Sequence, residues 1–141
     1  MTKTKIIVCE GDTDRLILSR LAARFFAETG IQKEIEVLPA YGRGVIPRMM
    51  KALEARYGAR RILAVVDSDG NPAKVRAEFR TKADWRKHKL IVADPGVTSW
   101  IRAGKLSGVE NDIALLIQRT NLEKLEATRS DFAEFLAELR S

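Results

Sequence analysis

The chain has 141 residues, 45% of them hydrophobic and 31% charged, which excludes an intrinsically disordered chain and fits one ordinary globular domain. Its formal net charge of +6 favours polyanionic partners such as nucleic acid, and the single cysteine, Cys9, excludes an internal disulfide and fits a reducing, cytoplasmic setting. The apolar run after the lysine-bearing N-terminus, Ile6 to Cys9, is too short for a signal peptide or a membrane span.

In chain order, Lys5 to Cys9 is a β-branched run with the look of a strand buried on both faces of a parallel sheet. Leu16, Ile17, Leu21, Phe25 and Phe26 recur at helical spacing, and Gly30 stands where a left-handed cap ends that helix. Glu34 to Leu38 predicts a second strand, stopped by Pro39. The turn Gly42-Arg43-Gly44 leads to a helix with Pro47 in its first turn and a stop at Gly58. Ile62 to Val66 predicts a third strand ending in Asp67, Asn71-Pro72 starts a helix through Phe79, and Leu90 to Ala93 predicts a fourth strand ending at Asp94-Pro95-Gly96. From Val97 onward the chain reads as helical, with Ile113, Leu116 and Ile117 in one stripe and Phe132, Phe135, Leu136 and Leu139 in another. Asp131-x-x-Glu134 has the spacing of a capping box.

Strands that alternate with helices predict an α/β sandwich around a mostly parallel sheet of about four strands, with helices on both faces and a helical C-terminus. In the common order 2-1-3-4, the first and third strands are neighbours at the point where the order reverses, and ligands gather at their carboxyl ends. Glu10 leaves the first strand and Asp67 the third, with Asp69 two residues on, so three carboxylates converge on one crevice. Such a group repels itself unless a cation neutralises it, and oxygen ligands without clustered His or Cys point to Mg²⁺ or Mn²⁺. Phosphoryl-transfer chemistry follows from that ion. Gly11 and Gly70, each before a helix N-terminus, leave room for a phosphate.

The segments Ile6-Ile7-Val8-Cys9-Glu10-Gly11-Asp12-Thr13-Asp14 and Ala64-Val65-Val66-Asp67-Ser68-Asp69-Gly70 resemble the Toprim domain shared by topoisomerases, primases and several nucleases. The position of Asp14 and the Gly42-Arg43-Gly44 turn are most similar to the overcoming-lysogenization-defect nuclease branch, over residues from about 5 to about 101. With the length and the C-terminal stripes, this gives a single Toprim-like domain over residues 1–141, its core at about 5–101 and C-terminal helices over about 110–140. The resemblance implies a metal-dependent nuclease in which Glu10, Asp67 and Asp69 hold the metal and Asp14 joins them in catalysis, Glu10 serving also as general acid or base. Two departures stand out: many relatives carry a glutamate where Thr98 precedes Ser99-Trp100, leaving Asp94 or Glu110 to supply a second metal site, and Asn71 replaces a third acidic residue. No phosphate loop or strand-passage domain accompanies the motifs, so an ATPase or other protein partner would come from a separate chain.

Each feature also has a plainer reading. Asp12 is better explained as a charge complementing the helix dipole, whereas for Asp14 dipole and site are evenly matched. Asn71 caps a helix as easily as it binds metal. The basic stretch with Lys74, Arg76, Arg80, Lys82, Arg86 and Lys87 is either a solvated face or a nucleic-acid track. Arg43 either faces the crevice to pair with phosphate or merely turns the chain, and Trp85 reads as packed against the sheet. His88, the only histidine, reads as a surface or edge residue. A non-catalytic Toprim-like module that binds nucleic acid or a partner is the alternative function. A response-regulator receiver fits less well, since it wants an acidic pair directly after the first strand.

Overall fold

The computed structural model describes residues 4–58, 60–101 and 110–141. Four strands, β1 (Lys5–Cys9), β2 (Ile35–Pro39), β3 (Ile62–Asp67) and β4 (Lys89–Ala93), form one sheet in the order β2-β1-β3-β4, every pair parallel. Helices α1 (Asp12–Thr29), α2 (Ile46–Tyr57) and α3 (Pro72–Phe79) make the crossovers, and α4 (Glu110–Arg119), α5 (Leu122–Thr128) and α6 (Ser130–Arg140) follow. The expected α/β architecture and strand order are thus present. Among the described residues no helix is long and apolar enough to cross a membrane.

Side-chain alternation along the strands divides the interior in two. Ile7, Cys9, Leu63, Val65, Ile91 and Ala93 point to the face covered by α1 and α4 to α6, where Trp100, Phe132 and Phe135 are buried. Ile6, Val8, Ala64, Val66 and Val92 point to the face covered by α2 and α3, against Ile46, Met50, Val75 and Phe79. Both strand faces are dry, which is why these strands read as continuous apolar runs.

Several local signals act as their chemistry dictates. Gly30 closes α1 at φ 74°, its N–H bonded to Phe26 O, and Gly58 closes α2. Asn71 caps α3, its side chain accepting from Lys74 N at 3.2 Å. Trp85 is half-buried edge-on to Phe79, and its Nε1 donates to Phe79 O at 2.8 Å.

Three expectations need correction. Pro39 ends β2 from within, because a proline tolerates a strand terminus where its missing N–H breaks no ladder. Val97–Trp100 forms a 3-10 turn, and the C-terminal stretch divides into three helices; the helical expectation for 102–109 falls outside the described residues. His88 is wholly buried: its Nδ1 accepts from Ile62 N at 3.0 Å and its Nε2 lies 3.0 Å from Glu54 Oε1, so it ties the start of β3 to α2. Replacing His88 by Ala strands the buried Ile62 N–H and opens a cavity. We expect a loss of about 2–4 kcal/mol, measured by urea denaturation.

Candidate metal centre

The crevice lies where β1 and β3 end side by side. Glu10 follows β1 directly, and its Oε2 accepts from the N–H of Asp67 at 2.6 Å. Asp67, the last residue of β3, turns its Oδ1 toward Val97 N, which donates at 2.9 Å. Asp14 sits in the first turn of α1, three and four residues before Ile17 and Leu18 on the helix stripe that packs against the sheet, and helical spacing therefore aims it inward. One carboxylate oxygen each from Glu10, Asp14 and Asp67 lies within 4.8 Å of the other two.

Asp69 stands at the outer edge, its side chain 73% exposed and its Oδ2 2.5 Å from the Arg43 guanidinium. Arg43 also donates to Asp67 O at 2.9 Å and reaches Glu10 Oε1 at 3.4 Å. It faces the crevice and laces the ends of β1 and β3 together, which settles its orientation against a plain turn. Tyr41 (φ 59°) and Asp69 (φ 52°) both occupy the left-handed region that non-glycine residues disfavour, one on each side of the crevice. Tyr41 donates its hydroxyl to Asp12 at 2.9 Å, so Asp12 faces outward rather than into the group.

Burial raises the Asp14 carboxyl to about 7, with Asp67 and Glu10 adding repulsion. Burial also raises Asp67, against the pull of the Val97 N–H. The neighbouring Cys9 thiol is pushed up to about 12, chiefly by burial, and so stays protonated. The donor set is all oxygen and mutually repulsive, which fits a hard divalent cation. The sign for Asp14 is definite: the folded protein holds its proton up to about pH 7, while the unfolded chain releases it near 3.8. Its contribution to stability is complete below that lower value and is lost as pH rises through about 7. In metal-free protein, Asp14→Asn should therefore raise the melting point at about pH 8 by the equivalent of about 1 kcal/mol, discounted for partial exposure, and change little at about pH 4. Thermal melts in chelator at the two pH values check this, and added Mg²⁺ should reverse the order.

Gly96 is a site residue that the sequence reading passed over as part of a turn. A Cβ there would lie 3.0 Å from Asp67 Cγ and 3.1 Å from its Oδ1, so any other residue would press the loop after β4 against that carboxylate and force one of them to give way. A Cβ at Gly11, by contrast, meets nothing within 4 Å. A second correction concerns Asp131, which caps nothing in the manner of a capping box. Arg129 takes the N-cap position, and Asp131 turns inward to accept from Asp94 N and Trp100 Nε1, each at 3.0 Å, and from Arg129. It thereby pins the loop that carries Gly96 and Val97.

The remaining expected site residues are dispersed. Asp94 accepts from Ser68 Oγ at 2.5 Å, Thr98 is exposed, and the side chain of Glu110 lies outside the described residues. Lys74, Arg76, Arg80, Lys82 and Arg86 are exposed along and after α3, while Lys87 pairs with Glu54 at 3.3 Å.

No curated protein and no solved structure matches the chain significantly. Residues 3–69, which hold β1 to β3 and the four carboxylates of the crevice, match the family described as overcoming lysogenization defect protein-like, TOPRIM domain.

Proposed function

We propose that the protein is a Mg²⁺- or Mn²⁺-dependent nuclease of the Toprim type, hydrolysing phosphodiester bonds of DNA or RNA, and that it serves as the nuclease component of a larger assembly with an ATPase or other protein partner. The observation that carries this reading is the convergence of Glu10, Asp14 and Asp67 within 4.8 Å at the carboxyl ends of β1 and β3. Those three residues would hold the ion, with Asp69 as a further oxygen donor at the outer edge. When bound, such a cation supplies charge neutralisation at a phosphoryl oxygen and acidifies a water molecule.

The rest is the work of the chain's own groups. Glu10, fixed by the Asp67 N–H, has its second oxygen directed toward Arg43 and is placed to move a proton at the crevice mouth. Arg43 presents a planar fork of donors suited to a phosphate, once its partner carboxylates face a cation instead. Asp67 is oriented by the Val97 N–H, which donates to its Oδ1.

The test is cleavage of labelled single- and double-stranded DNA and RNA with Mg²⁺ or Mn²⁺, against chelator. Metal-dependent cleavage is expected. A second reading, a non-catalytic module that binds nucleic acid or a partner, is favoured by Thr98 at a position where an acidic residue is expected. Tight metal-independent binding with no cleavage of any substrate would decide for it.

A further inference from the structure

Beside the acidic crevice, between the start of α2 and the turn that follows α3, lies a groove of about 540 Å³. We propose that this groove carries the phosphodiester backbone of nucleic acid into the crevice, through contacts to phosphates and not to bases. The proposal rests on the nucleic-acid reading of the metal centre and deepens it by giving the substrate a path.

Four cations line the groove, Arg43, Arg48, Lys51 and Lys82, against one carboxylate, Glu78. Arg48 and Lys51 are three residues apart on α2 and so share a face. Among the described residues, neither of them nor Lys82 makes an ion pair, whereas Arg86 pairs with Asp84, Lys87 with Glu54 and Lys89 with Glu134. Unpaired cations facing one groove are the ones whose counterions a polyanion displaces. Arg43 belongs to both places, lining the groove while its guanidinium bonds Glu10 and Asp69, so the groove and the metal centre adjoin at this residue. The groove's one aromatic, Phe79, is 3% exposed and offers no stacking face. Recognition is then by charge along the backbone and is indifferent to sequence.

The experiment measures binding of short fluorescent oligonucleotides, single-stranded and duplex, by anisotropy across a salt series in chelator. The variant is Arg48→Ala/Lys51→Ala/Lys82→Ala, all exposed positions outside the carboxylate group, and its folding is verified by circular dichroism. A control variant, Lys74→Ala/Arg76→Ala/Arg86→Ala, removes the same charge elsewhere. The groove variant should bind about 10–100-fold more weakly at low salt and lower the slope of log K against log salt by about two for single strands, while the control keeps most of its affinity. Parental affinity in the groove variant, an equal loss in the control, or no binding by the parent protein overturns the proposal. Glu10→Gln keeps the two readings apart. Metal-dependent cleavage that needs Glu10 but ignores the groove variant sinks the groove alone, and groove-dependent binding without cleavage sinks the nuclease alone.

Discussion

Glu10→Gln and Asp67→Asn should each lower metal-dependent cleavage by about 10²–10⁴-fold while leaving the fold intact. Both replacements keep an oxygen where the structure needs an acceptor: Gln at position 10 can still receive the Asp67 N–H, and Asn at 67 can still receive the Val97 N–H. What they remove is negative charge at the centre of the group. Melting temperatures in chelator should therefore stay level or rise, since one member of a repelling trio is gone. Mn²⁺ binding, read by titration calorimetry, should weaken in parallel with cleavage. Cutting at the parental rate by both variants would remove the basis for a metal-dependent nuclease at this crevice.

The second large effect is expected far along the chain. Asp131→Ala should destabilise the protein by about 2–4 kcal/mol, because it leaves the Asp94 N–H and the buried Trp100 Nε1–H without an acceptor and releases Arg129. Burial pushes the Asp131 carboxyl up, but Arg129, the Asp94 N–H and Trp100 together outweigh that and hold it below the usual carboxylate range. Its contribution is then present above the unfolded value of 3.8 and is lost as pH falls through the lower folded value. The deficit of the variant, measured by urea denaturation, should shrink in that acid range. Cleavage should also fall at temperatures where the variant is folded, because the loop that holds Val97 N and Gly96 against Asp67 has lost its anchor.

Features are legible in the sequence where the partners that decide them are local. Glu10 and Asp67 stand at the ends of buried apolar runs, so their place at strand ends follows from local signals, while their meeting in one crevice rests on taking the common order 2-1-3-4, which the sheet has. Asp131 could not be read this way. Its D-x-x-E spacing satisfies a local helix signature, whereas the partners that turn it inward lie 31 and 37 residues earlier in the chain. His88 has the same difficulty, with partners 26 and 34 residues away. Gly96 was hidden by an adequate local explanation, a turn after a strand, while the reason for it is Asp67 in a different strand. In the basic stretch, composition identifies the cations but not their faces. Only folding separates Lys82, which lines a groove, from Lys87, which is tied to Glu54.

The two carboxylates that frame the crevice are aimed by main-chain donors, Asp67 N onto Glu10 and Val97 N onto Asp67. A main-chain donor is supplied by every residue except proline. The Val97 side chain is buried in the core, so an apolar residue of similar size at position 97 keeps the aim of Asp67, whereas gain or loss of one residue between Asp94 and Val97 moves the donor off its target. Relatives built on the same plan should agree in the length of this loop and keep its glycine at position 96, where a Cβ would crowd Asp67.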